Sequence, residues 1–414
     1  MNIRSIITLS ISALALNIFC AVPGDADITL TLPAGFKSET VVPSLGNNRH
    51  LVVNTNGDIY VKLSNLKNGK GIIVLRKMDG VYKQLNAFCN YGGTGIAIGN
   101  GYLYASSNTT VYRYKFNANN EVADPEKPEV IVSGLIDQGQ HNTKSLALDN
   151  KGNIYVTIGA PSNACQTTDR TPGSPGQDPC PLLEKAGGIW QFKVNKLNQG
   201  YKEGIRFATG IRNIVGIDWN ENDGELYAMQ HGRDQLGDIA PDIYSKEQSA
   251  ELPAEEFLLV KKNSDFGWPY CYYDHLQKKK LLGPEYGGDG KQVGRCSGKS
   301  LPIMGFPGHW APNALQFYSG KMFPARYKNG AFIAFHGSWN RAPLKQAGYF
   351  VVFVPFEKGK PKGSYEIFAN GFTGKESIAG SGQAKYRPCG LAEMPDGSLL
   401  ISDDKEGRIW RISY

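Results

Sequence analysis

The stretch "SLALDNKGNIYVTIG", Ser145 to Gly159, decides the fold. It is a short apolar strand, a tight polar corner ending in Gly, and a second strand in which hydrophobic residues recur. Strands with period-two apolar content flanking a Gly-bearing corner read as a β-hairpin, because only such corners supply the positive φ that a tight reversal demands. The same grammar returns five more times: "HLVVNTNGDIYVKL" from His50, "GIAIGNGYLYAS" from Gly95, "IVGIDWNENDGELYAMQHG" from Ile214, "NALQFYSGKMFPARYKNGAFIAFHG" from Asn313 and "GLAEMPDGSLLISDD" from Gly390. Six hairpins spread over the chain, with little helical periodicity, fit radial repetition of small sheets better than a two-sheet sandwich. The expectation is an all-β, six-bladed β-propeller with inserted loops on one face. The final strand, "GRIWRISY", is expected to close the ring beside the N-terminal one.

The corner glycines, Gly57, Gly101, Gly152, Gly224, Gly330 and Gly397, are unevenly spaced. The widest gap, Gly224 to Gly330, therefore holds the largest insertion, and long insertions on a repeat scaffold usually build the functional face.

Six of the seven cysteines follow the N-terminal segment, and an even count in an exported chain reads as disulfides. Proximity pairs Cys165 with Cys180 and Cys271 with Cys296, which leaves Cys89 to Cys389, with free buried cysteines the open alternative for any one pair. The segment "MNIRSIITLSISALALNIFCAVPG" has one basic residue, an apolar run and small residues near Ala21. It reads as a secretory leader over residues 1–21, so residues 22–414 form the exported domain, periplasmic or extracellular. Phe19 is too bulky before Cys20 for lipoprotein processing. No other apolar run is long enough for a transmembrane anchor. The formal charge of +7 is dispersed, and its only dense run is Lys278–Lys280, so the chain carries no nucleic-acid signature.

In a propeller the first strand of each blade lines a central channel, and the residues just before it stand at the channel mouth. Counting back from the corner glycines puts His141, Arg212 with Asn213, and Arg387 in equivalent places, 11, 12 and 10 residues before Gly152, Gly224 and Gly397. The loops after the second strands add "HGRD" from His231, "HGSWNR" from His336 and "SDD" from Ser402. A guanidinium entering a core must reach water or meet an anion. For Arg212 the anion is either a ligand or a nearby carboxylate, Asp234 or Asp238. Arginines, a histidine and a carboxamide around one mouth suit an anionic ligand.

These residues resemble the soluble pyrroloquinoline quinone (PQQ)-dependent sugar dehydrogenases, the glucose/sorbosone dehydrogenase family of six-bladed propellers. The resemblance rests on "LPAGFKSETVV", His141 with "LALDNKGNIYVTIG", "GIRNIVGIDWN", "HGRDQLGD", "DFGWPYC", "HGSWNR" and "RPCGLAEMPDGSLLISDDKEGRIWRI", and so spans nearly the whole chain. It implies oxidation of an aldose or related sugar or aldehyde, with an external electron acceptor. Arg212, Asn213, Arg341, Lys385 and Arg387 would hold the quinone, Arg212 also acting at the carbonyl that gains charge. His141 would be the general base, and the backbone oxygens of Gly232 and Arg233 would hold Ca2+. Trp268 and Trp339 are candidate walls for a sugar ring.

The chain also departs from the family. Ala160 stands where the glucose-oxidising relatives carry an Asp that orients the histidine, with Ser162 and Asn163 as possible substitutes. Arg233 replaces a frequent Pro, and Lys345 is a second candidate beside Arg341. Two other readings stay open: a calcium-dependent lactonase-type hydrolase, which needs carboxylate and Asn side chains converging on a channel metal, and a non-catalytic propeller that binds glycan or protein.

Overall fold

The computed structural model describes residues 28–414; the leader at 1–21 and Cys20 lie outside the described residues. Six sheets radiate around an axis as a β-propeller. Their innermost strands are Asn48–Val53, Ile96–Gly99, Leu146–Leu148, Ile214–Asn220, Pro312–Phe317 and Pro388–Glu393. Each is the first strand of its hairpin, as the repeats require. Blade 6 is completed from both ends of the chain: Lys37–Val42 pairs antiparallel with Ile409–Ser413, so the ring closes through the expected terminal strands.

The blades are held by six apolar layers, one at each junction. Ile154, Val156 and Trp190 of blade 3 meet Tyr104 and Ile131 of blade 2, for example, and Trp410 and Ile401 of blade 6 meet Phe332 and Phe353 of blade 5. This is why inner and middle strands are apolar on both faces, as in "AFIAF", Ala331–Phe335, where every residue is buried. The outermost strand of blade 1, Val81–Phe88, is largely exposed.

Five of the six corner glycines take positive φ, as their turns need. In blade 5 the left-handed residue is instead Asn329 (φ 62°). Gly330 is required there for a different reason: a β-carbon would fall 2.2 Å from the ring of Phe353.

Two disulfides, Cys165–Cys180 and Cys271–Cys296, staple insertions as expected. The third pairing is overturned, because Cys89 and Cys389 are both free and buried. Cys89 follows the outermost strand of blade 1, whereas Cys389 lies on the innermost strand of blade 6. Adjacency around the ring does not remove the radial offset of about 14 Å, three inter-strand steps, which is far beyond disulfide reach.

Four inner strands carry a register shift at the mouth end, between Asn48 and Leu51, Ile214 and Ile217, Pro312 and Ala314, and Pro388 and Gly390. A bulge adds twist and re-aims the neighbouring side chains. It does so here next to Arg49, Arg212 and Arg387. Among the described residues, no helix is long and apolar enough to cross a membrane.

Candidate active site

His141 has a left-handed backbone (φ 51°), and its ring Nδ1 lies 2.6 Å from the Ala160 carbonyl. A carbonyl only accepts, so Nδ1 carries the proton and Nε2 is the basic nitrogen. The carboxylate missing at position 160 is thus replaced by that residue's own backbone oxygen. Neither Ser162 nor Asn163 substitutes: Ser162 donates to Asp169 at 2.6 Å, and Asn163 is locked to the backbone of Asp234 through Nδ2 and Oδ1, both at 2.9 Å. Burial, reinforced by the charge of Arg212, pushes the imidazole down to about 3, so it stays neutral well below pH 6.5.

Arg212 is 3% exposed and meets the anion that its burial demands. One terminal nitrogen donates to Asp234 Oδ2 at 2.7 Å, the other to the Gly232 carbonyl at 2.8 Å. Asp234 also takes Arg170 at 3.0 Å and Asn340 at 3.1 Å, with His309 3.7 Å away. Burial opposes its charge, but Arg212, His309 and Arg170 outweigh that and hold it well below the usual carboxylate range. Asn213 stands beside His141. A β-carbon at Gly159 would lie 2.6 Å from His141 O and 2.9 Å from Asn213 Oδ1, so both close on one glycine, and that Oδ1 is buried without a partner.

Arg387 donates to the carbonyls of His336 (3.0 Å) and Gly337 (2.7 Å). His336 Nε2 meets Asp404 Oδ1 at 2.7 Å, and Asp404 is paired with Arg49 at 2.6 Å. The field of Arg212 reaches His141 and His231, that of His336 reaches His231, and that of Arg387 reaches His336. The three registers chosen from the corners therefore share one mouth. Asp404 arrives on the expected "SDD" loop, whereas Arg49, Asp169 and Arg170 belong there too and were missed. Arg49 sits only eight residues before Gly57, and Asp169 and Arg170 arrive on the loop stapled by Cys165–Cys180.

Other candidates go elsewhere. Arg341 is buried and spends one nitrogen on the carbonyls of Ala250 and Gly308, both at 2.8 Å, and another on Glu251. Its Nε faces the carbonyl of Lys345 at 3.4 Å. It ties loops together. Lys385 has its backbone N–H on Thr373 and its ammonium 5.6 Å from the Tyr386 ring centroid. Trp268 is buried in the core of the stapled insertions and donates to Asn163 O at 2.9 Å, whereas Trp339 is 57% exposed.

A channel cavity of about 340 Å³ opens at the other end of the inner strands, beside Trp219, Asn222 and Glu393, and holds none of these groups. Among the described residues no cluster of His, Cys, Asp and Glu is arranged for a metal. The Gly232 oxygen already accepts from a guanidinium, which does not suit a calcium ligand in this arrangement. The carboxylates that reach the mouth, Asp234 and Asp404, are taken up by guanidinium and imidazole partners, not set around an open metal position as the hydrolase reading needs.

The family model for TrAA12-like proteins matches residues 30–414. The chain belongs to the TrAA12-like family. Its relatives include an uncharacterized protein of Borreliella burgdorferi, 27% identical over 93% of this chain and 91% of that protein. A PQQ-dependent sugar dehydrogenase of Hypocrea jecorina is 22% identical over 77% of this chain and 73% of its own length. Two solved structures share the fold. A calcium structure of Trichoderma reesei carbohydrate-active enzyme family AA12 has TM-score 0.73 and 18% identity, over 93% of this chain and 97% of that one. The holo form of the pyranose dehydrogenase PQQ domain from Coprinopsis cinerea has TM-score 0.72 and 19% identity, over 94% and 98%. This TrAA12-like chain thus shares a propeller with proteins whose names carry the quinone.

Proposed function

We propose that the chain is an exported oxidoreductase that oxidises a C–OH group of an aldose or related sugar, with pyrroloquinoline quinone bound across the mouth. The observation that carries this reading is the geometry at His141, whose Nδ1 is pinned to Ala160 O so that Nε2 is the basic nitrogen, beside Arg212 and Asn213. Membership of a family with quinone-dependent sugar dehydrogenases among its relatives supports it.

The donor set fits an anionic, planar cofactor. Arg212, Arg387 and Arg49 supply cationic groups at the mouth, and Asn213 stands beside them at the Gly159 cradle. When bound, the quinone supplies a two-electron acceptor for the hydride leaving the substrate carbon. His141 Nε2 takes the hydroxyl proton in the same step, and the cationic Arg212 favours the charge that develops nearby. Trp339 is the exposed wall for the sugar. Calcium is left out of the step because the Gly232 oxygen is already engaged.

The test adds the quinone, with and without Ca2+, to purified protein and follows dye reduction across an aldose panel. Turnover that His141→Asn reduces by about 10²–10⁴-fold, with quinone absorbance changes retained, supports the reading. Absence of both quinone binding and turnover overturns it.

A further inference from the structure

Between the mouth end of blade 4 and the insertion stapled by Cys271–Cys296 lies a cavity of about 20 Å³. Its lining includes Arg212, Gln230, Arg233, Glu256, Trp268 and Tyr272. Both arginines are almost wholly buried, at 3% and 5% exposure. Arg212 uses both terminal nitrogens on Gly232 O and Asp234, which leaves Nε buried and unpartnered. Arg233 directs one terminal nitrogen at both oxygens of Glu285, 2.5 Å each, and its Nε and other terminal nitrogen are buried and unpartnered. Three N–H-bearing nitrogens of two full charges are thus orphaned around one small space. An unsatisfied buried charged donor is among the more costly features a fold can carry.

Three of the polar side chains lining the cavity do not relieve them. Glu256 accepts from Lys280 at 2.6 Å and Gln230 at 2.8 Å. Gln230 Oε1 accepts the backbone N–H of Arg212 at 2.8 Å, and Tyr272 shares a hydrogen bond of 2.7 Å with Tyr244. The volume admits one particle about the size of a water molecule. A water accepts two hydrogens and must place two of its own, whereas the Glu256 carboxylate and the Gln230 oxygen beside it are already engaged. A monatomic anion accepts from every direction and has no hydrogens of its own to place. We propose that this cavity is a halide site, with one chloride held between Arg212 and Arg233. The ion completes the coordination of Arg212 from behind and sets its guanidinium plane at the mouth before any cofactor arrives. It also ties Arg233 and the stapled insertion to blade 4. The proposal is independent of the oxidoreductase reading.

The test uses the full chain without added cofactor. Thermal unfolding is compared in sodium chloride, sodium bromide and sodium gluconate at matched ionic strength, and bromide-soaked crystals are measured for anomalous scattering. The expected result is a saturable Tm rise of about 2 °C or more in the halides over gluconate. An anomalous peak is expected in contact with Arg212 Nε and Arg233, and Arg233→Gln removes the halide-dependent rise. Equal Tm in chloride and gluconate, or bromide bound only at the surface with water in the cavity, overturns the proposal. If Arg233→Gln does not fold, the wild-type bromide peak alone decides.

Discussion

His141 and Asp234 show how burial sets chemistry at single positions. The folded imidazole of His141 is depressed to about 3, first by burial and then by Arg212. Between about pH 6.5 and 3 the unfolded chain binds a proton here that the folded chain refuses. The stability this group contributes is therefore complete above 6.5 and is lost as pH falls through that window. NMR titration of the imidazole in the cofactor-free protein is expected to show no protonation near 6.5, and a midpoint moved upward in Arg212→Met. Asp234 binds Arg212 and Arg170 in one buried cluster. Asp234→Asn leaves Arg212 uncompensated and is expected to destabilise by about 3–5 kcal/mol, read from urea unfolding. Arg341 marks the limit of sequence reading at this scale. A guanidinium in "HGSWNR" looks like a ligand contact, but its acceptors are the carbonyls of Ala250 and Gly308, far off in sequence. No local signal announces them.

At the scale of elements, the inner strands and inserted loops divide the labour. The strands were legible because apolar alternation and Gly-bearing corners are local properties, and the bulges that open four of them aim residues at the mouth. The stapled loop was legible as an insertion, but the destinations of Asp169 and Arg170 were not, since they depend on how the loop folds back onto Asp234 and Gln140. Replacing both Cys165 and Cys180 with Ala releases a 15-residue closure, and the expected loss is about 3 kcal/mol. In the assay of the proposed activity, the same variant is expected to raise KM several-fold with a smaller change in kcat, because the loop acts on the site through Gln140 and Asp234 and does not bond His141 itself. An unchanged KM would separate the loop from the site.

At the scale of the whole molecule, six apolar junctions and one terminal closure make the ring. Trp410 lies in the junction of blades 5 and 6, on the strand that pairs with Lys37–Val42. Trp410→Ala is expected to cost about 3–5 kcal/mol, with the mouth and the terminal closure weakened together, as hydrogen exchange in Lys37–Val42 would report. Thiol counting checks the corrected cysteine assignment. Cys89 and Cys389 are expected to resist a thiol reagent in the native protein and to titrate as two thiols after denaturation without reductant. A bridge between them would leave none. What sequence alone determined was whatever depends on near neighbours: six hairpins, their corners, the two short-range disulfides, and the common register of His141, Arg212 and Arg387. Radial position and the partners of buried charges were decided only by tertiary structure. Two residues can be neighbours around a ring yet three strands apart along its radius, and a buried charge takes whichever acceptor the packing of distant loops presents.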